Sequence, residues 1–218
     1  MFKFLACILV FLNSSYAADK KNHHKKDHGQ HHRFDNAKKW SKIFEDSKRD
    51  KWQNPDLVLK TVGIKKTSII ADIGSATGYF PVRLSKIAIK GRVWGIDIEP
   101  NLVNFLNKRA KREKITNLFS ILGTYSDPLI PETVDFIFMV NTYHHISKRK
   151  QYFKKLKSSL KENGKLVIID FKQGKLPFGP KDKMKIKKAQ IIKELNDAGH
   201  KLVADHEILK YQYFLVFQ

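Results

Sequence analysis

The sequence predicts a doubly wound α/β domain, a mostly parallel sheet with helices on both faces. Three observations carry this. Strand-like and helix-like segments alternate from residue 68 onward. Several strand candidates are continuous apolar runs, such as Phe136-Ile137-Phe138-Met139-Val140 and Val167-Ile168-Ile169, as expected where helices cover both faces. A buried strand also runs straight into the turn Gly74-Ser75-Ala76-Thr77-Gly78 and then into a helix.

The elements follow in order. Residues 36–46 form a helix with Trp40, Ile43 and Phe44 on one face. Asn54 caps a second helix, with Pro55 at its first position and Gly63 closing it. Strands follow at 68–73, 92–97, 118–122, 134–140, 165–170, 201–207 and 213–217. Helices at 81–88, 100–111, 147–161 and 188–198 separate the first six, leaving one gap. A short turn joins the last two strands, so they pair antiparallel.

The 218 residues suit one domain with a single sizeable core, and 42% hydrophobic content excludes a disordered polyelectrolyte despite a net charge of +21. Residues 1–17 read as an export signal: Lys3, an apolar run over 4–12, then small residues at Ser15 and Ala17 before the cut. Cys7, the only cysteine, lies inside it, so the mature chain has no disulfide, thiolate metal site or cysteine nucleophile. Residues 18–33 are rich in histidine and lysine. His23, His24, His28, His31 and His32 read either as a solvated disordered tail or as a metal site.

Charge concentrates late, with 18 Lys and Arg against 7 Asp and Glu over 143–218. Lys148, Arg149, Lys154, Lys155 and Lys157 populate the outer face of the 147–161 helix. This is a solubilising face or a weak attraction for anionic surfaces. No nucleic-acid motif accompanies it, so specific nucleic-acid binding is not expected.

The glycine turn bears on the ligand. A dinucleotide fingerprint needs glycine at its first, third and sixth positions, which here hold Gly74, Ala76 and Tyr79. That argues against a nicotinamide or flavin dinucleotide, and no phosphate-loop Gly-Lys-Ser/Thr is present. Asp72 at the strand end would repel phosphate and welcome an ammonium. Asp97 closes the next strand, where it can accept the hydroxyls of an adenosine ribose. A cationic amino-acid end with a ribose describes S-adenosylmethionine.

With these residues the chain resembles the class I S-adenosylmethionine-dependent methyltransferases, in the small-molecule group that includes the ubiquinone/menaquinone C-methyltransferases. The motif positions run over about residues 60–171. The resemblance implies a Rossmann-like seven-stranded sheet, and a donor site of Asp72, Gly74, Ser75, Ala76 and Gly78, with Ala76 where glycine is common. It also implies Asp97 on the ribose, Ile98 against the adenine, and Thr124 or Asp127 as the adenine-side contact. Leu160-Lys161-Glu162-Asn163-Gly164-Lys165-Leu166 resembles the turn into strand five, and 34–63 looks like an N-terminal helical lid on a domain over 34–218. The signal, cut after Ala17, makes this an exported, periplasmic bacterial member, for which the donor would have to reach the outer compartment; if the signal is not used, the protein stays in the cytoplasm.

A sulfonium is already a good leaving group, so the protein's task is to hold the acceptor in line and to take its proton. His144 and His145 follow strand four and can serve as that base or simply bond backbone. Neighbours there diverge, so one of them faces the acceptor, with His144 preferred and Asn141 orienting the donor or the acceptor. The acceptor is a small molecule or an envelope polymer. The competing reading is a non-catalytic, methyltransferase-like protein that binds an acidic ligand or a metal.

Overall fold

The computed structural model describes Phe34 and residues 36–218. The export signal at 1–17, the tail at 18–33 and its five histidines lie outside these residues.

Three short helices lead in: α1 (Ala37–Phe44), α2 (Lys48–Gln53) and α3 (Pro55–Val62). Asn36 caps α1, its Oδ1 accepting the Lys39 N–H at 2.9 Å. The sequence does not mark α2, because its six residues are too few to show a helical apolar period. Asn54 departs from its expected role as a side-chain cap. It takes a left-handed backbone (φ 46), donates its N–H to Asp50 O at 3.0 Å to close α2, and turns the chain into α3.

Strands β1 (Ile69–Ile73), β2 (Arg92–Asp97), β3 (Leu118–Leu122), β4 (Val134–Val140), β5 (Leu160–Phe171), β6 (Leu202–Asp205) and β7 (Gln212–Phe217) form one seven-stranded sheet in the order β3-β2-β1-β4-β5-β7-β6. The first five are parallel, and β7 runs antiparallel between β5 and β6. Helices α4 (Pro81–Ile87), α5 (Pro100–Arg112), α6 (Arg149–Lys157) and α7 (Lys188–Asp197) connect them.

Alternation along each strand feeds two cores. Ile70, Phe136, Phe138, Val167 and Ile169 pack with Val58, Leu84 and Leu106 of α3, α4 and α5. Ala71, Ile137, Met139, Leu166 and Ile168 pack with Phe153, Leu156, Ile191 and Leu195 of α6 and α7. Both faces are covered, which is why these strands read as unbroken apolar runs.

Strand β5 begins earlier than the sequence suggests. Leu160 pairs with Val134, after which the ladder slips so that Lys165 pairs with Phe136. The predicted 147–161 helix loses its end to this strand and its start to the loop that follows a 3-10 turn, Tyr143–His145. Strand order reverses between β1 and β4, and a ligand crevice is expected beyond their carboxyl ends. Among the described residues, no helix is long and apolar enough to cross a membrane.

Candidate active site

A cavity of about 550 Å³ lies at that edge, walled by the turns after β1, β2 and β4 and by α1 and α2. The turn after β1 is closed by its own backbone. Gly74 and Ser75 donate N–H to Ile96 O at 2.8 and 3.1 Å, and Gly78 donates to Ser75 O at 2.9 Å. Gly74 holds φ +77, and a Cβ there would lie 2.2 Å from Thr142 Oγ1. Glycine is thus required on two counts. Ala76 also adopts a left-handed backbone, φ 46, which costs an L-residue roughly 1–2 kcal/mol. Its N–H donates to Asp97 Oδ2 at 2.9 Å, which offsets part of that cost.

The Asp97 carboxylate is therefore already engaged. Oδ1 accepts the Glu99 N–H at 3.0 Å, and the Ile98 N–H also bonds the carboxylate. Of about four acceptor positions on a carboxylate, this leaves one clear for a ribose, rather than the two expected. Buried Glu99 stands beside it on the same cavity wall. Burial pushes the Asp97 pKa up in spite of these N–H donors. Ile96, Ile98, Leu102 and Pro128 supply an apolar shelf next to the two acids, suited to an adenine.

Not every expected donor residue reaches the cavity. Gly74, Ala76, Asp97, Ile98, Thr124 and Asn141 line it. Asp72, Ser75 and Gly78 stand behind the turn, and the Ser75 Oγ is buried without a partner. Asp127 turns away. Its Oδ1 accepts the Leu129 N–H at 2.9 Å and its Oδ2 lies 3.5 Å from Lys155 Nζ, because it caps its own turn. The adenine-side loop therefore offers Thr124 rather than Asp127. Burial drives the Asp72 pKa up to about 8, with Arg49 opposing and Asp97 adding to the rise.

The opposite wall comes from the leading helices. Glu45 accepts from Thr77 Oγ1 at 2.7 Å and pairs with Arg109 at 2.8 Å. Asp50 accepts from the Tyr79 hydroxyl and from Arg83 at 3.0 Å. At the far end three amides close a ring: Gln53 Nε2 donates to Gln212 Oε1 at 2.7 Å, Gln212 to Asn141 Oδ1, and Asn141 Nδ2 to Gln53 Oε1 at 3.3 Å. The Asn141 side chain thus helps hold α2 against β4 and β7.

Between these anchors lies Arg49, stacked 3.8 Å from the Tyr79 ring centre. It donates to Phe44 O at 3.0 Å and to Gln53 Oε1 at 3.3 Å, and its Nε is buried with no partner. Burial lowers its pKa to about 10.

His144 and His145 both line the cavity, with ring centres 4.2 Å apart. Nδ1 of His144 lies 2.8 Å from Asp170 Oδ1, and its backbone N–H donates to Oδ2 at 3.0 Å. A carboxylate only accepts, so Nδ1 carries the proton and Nε2 is left as the acceptor. Around the histidines the wall is aromatic. Phe34 packs on Trp40 at 4.8 Å and edges His145 at 6.0 Å, while Trp52 stacks on Phe178 at 4.3 Å. Among the described residues, no group of three or more His, Cys, Asp or Glu could hold a metal.

Sequence reasoning missed Arg49, Glu99 and Asp170. Glu99 follows Asp97 by two residues and was visible. Asp170 ends an apolar strand, a visible position without a visible partner. Arg49 sits on the helix that the periodicity could not show.

These residues suit an S-adenosyl donor: acids for a ribose, an apolar shelf and a glycine turn. Residues 64–214 match the family model described as a methyltransferase domain, and the chain belongs to that family. The fold is that of S-adenosylmethionine-dependent methyltransferases, and S-adenosylmethionine is the cofactor. The chain is similar to a SAM-dependent methyltransferase from Aquifex aeolicus, 28% identical with a TM-score of 0.76, covering 83% of this chain and 97% of that one. It is also similar in fold to magnesium protoporphyrin IX methyltransferase from Synechocystis PCC 6803 with bound SAH, at 14% identity and a TM-score of 0.59, covering 86% and 89% of the two chains. A curated relative, the tRNA U34 carboxymethyltransferase of Desulfotalea psychrophila, is 30% identical over 121 residues, 54% of this chain and 36% of that protein. The chain thus spans about a third of the length of that relative.

Proposed function

We propose that this methyltransferase acts on a small, apolar acceptor with an aromatic body, whose hydroxyl or carbon acid gives its proton to His144. The observation that carries the reading is the His144–Asp170 pair, 2.8 Å apart, set into an aromatic cavity wall. When bound, S-adenosylmethionine supplies a methyl group on a sulfonium, which leaves without acid assistance. Asp170 holds the imidazole with Nδ1 protonated, so Nε2 takes the acceptor's proton, and the carboxylate then stabilises the imidazolium. Phe34, Trp52 and Phe178 exclude water and hold the acceptor in line with the methyl. The test is transfer of labelled methyl to hydroxylated aromatic small molecules, set beside tRNA and envelope polysaccharide. Label on the small molecules supports the reading; label confined to either polymer overturns it.

For location, we propose export with cleavage after Ala17, supported by the order of Lys3, the apolar run and the small residues Ser15 and Ala17. N-terminal sequencing of protein from fractionated cells checks it, and an intact Met1 in the cytosolic fraction would refute it.

A further inference from the structure

Lys185 is the one lysine buried among the described residues. It belongs to the loop between β5 and α7, residues 172–187, where Lys175, Lys181, Lys183 and Lys187 are all exposed. A lysine taken out of water is costly unless its ammonium is paired or hydrogen-bonded, so the inward turn needs a cause. The partners are local. Nζ donates to Gly174 O at 2.6 Å and lies 3.6 Å from Asp182 Oδ1, and that same oxygen accepts the Gly174 N–H at 2.6 Å. The 3-10 turn Asp182–Met184 brings the two side chains together, because residues three apart eclipse on such a turn. Both backbone polar groups of Gly174 are thus gripped by one side-chain pair, at φ +97, where glycine is favoured.

The clasp closes residues 174–185 into a compact loop whose ends are held together. The side chains this loop turns to the cavity, Phe178, Pro180 and Met184, are apolar, and Lys185 does not line it. Phe178 stacks on Trp52 of α2 at 4.3 Å and meets Tyr211 edge-on at 4.9 Å. Behind it the Lys172 N–H donates to Tyr211 O at 3.0 Å, which ties the root of the loop to the start of β7. The groups assigned to the donor, Gly74, Ala76, Asp97 and Ile98, come from other turns. Resting on the acceptor reading above, we infer that Lys185 is a positioning residue for the acceptor. With Asp182 it shapes the 174–185 loop into a jaw that presses Phe178 onto Trp52 and forms one side of a slot for a flat, uncharged ring. The slot is set before the acceptor arrives, so little loop freedom is lost on binding.

The experiment titrates 2-naphthol, a flat uncharged hydroxylated ring system, into the complex with S-adenosylhomocysteine, for the wild-type chain, Lys185→Met and Lys185→Arg. Lys185→Met keeps the reach of the side chain and removes the ammonium, and an apolar group in place of a buried ion often leaves stability unchanged. Its dissociation constant for 2-naphthol should rise about tenfold, with S-adenosylhomocysteine bound within about twofold of wild type. Lys185→Arg, which restores a cation, should recover part of the loss. Trypsin gives a second readout that needs no ligand: cleavage after Lys175, Lys181 and Lys183 should quicken in Lys185→Met, with the rest of the chain cut at the wild-type rate. Unchanged affinity for 2-naphthol in Lys185→Met overturns the inference, as does equal weakening of both ligands, which makes the residue a packing element. If Lys185→Met does not fold, Asp182→Ala decides by the same two measurements, because the Asp182 side chain is 61% exposed and removes the other half of the clasp. A wild-type chain that binds S-adenosylhomocysteine but not 2-naphthol strikes the acceptor reading itself, and the inference with it, a result distinct from a loss confined to the variant.

Discussion

The donor wall takes most of its groups from two short stretches, 72–78 and 96–99, whereas the facing wall gathers Arg49, Trp52, His144, Asp170 and Phe178 from distant segments of the chain. The first wall is built largely from backbone: Gly74, Ser75, Ala76, Ile98 and Glu99 all contribute N–H groups that shape it. The second is built from side chains, each positioned by another side chain. A backbone-built wall tolerates little change in the local residue type and gives one general ligand. A side-chain wall can be rebuilt residue by residue, and in the proposed function it is the wall that faces the acceptor.

This contrast can be broken experimentally. The largest effect belongs to the acceptor wall: His144→Ala should lower turnover by about a hundredfold or more, the usual contribution of a general base, while donor affinity stays nearly intact. Steady-state rates beside titration with S-adenosylhomocysteine show the split. Turnover that survives with only a lower melting temperature would make the histidine structural. Lesions on the donor wall should not separate in this way. Gly74→Ala forces a Cβ to 2.2 Å from Thr142 Oγ1 at φ +77, so stability should fall by about 1–3 kcal/mol together with donor affinity. Denaturant melts check the first part, and Thr142→Ala in the same chain should recover some of the loss.

Asp97→Ala removes the ribose acceptor and should weaken donor binding roughly tenfold. Unchanged affinity would move the ribose elsewhere, with Glu99 next in line. The smallest effect is a pH dependence. In the free protein Asp72 keeps its proton up to about pH 8, faced by Arg49 and Asp97. The donor's ammonium favours the ionised form, so affinity for S-adenosylhomocysteine should rise from pH 6 to 8 by about threefold. Over the same range the raised pKa works against folding. The folded chain holds a proton that the unfolded chain has already lost above about pH 4, so this group's contribution to stability falls as pH rises to 8. A flat affinity profile would show that Asp72 does not sense the ligand.

The difference between the walls also explains what could be read beforehand. The seven strands, the gap after β3 and the covered faces followed from apolar runs and turn residues, because those signals are local. The glycine turn, Asp97 and Ile98 were legible for the same reason. Between Thr124 and Asp127 spacing does not decide, because the Asp127 carboxylate can satisfy its own turn, as it does here. The His144–Asp170 contact joins β4 to β5 across 26 residues, and the Gln53–Gln212 bond spans 159. Pairings of that reach leave no periodic trace. The helix carrying Arg49 is six residues long, shorter than the window in which a helical period can be seen.

The ring of Gln53, Gln212 and Asn141 contains no charge, while the other anchors of the leading helices, Glu45 on Arg109 and Asp50 on Arg83, are partly exposed ion pairs. Mobile ions screen exposed charges over a Debye length of about 8 Å at physiological strength and leave neutral amide bonds untouched. Rising salt therefore weakens the ion-paired anchors and leaves the amide ring intact, so the two ends of the leading helices differ in how they respond to ionic strength.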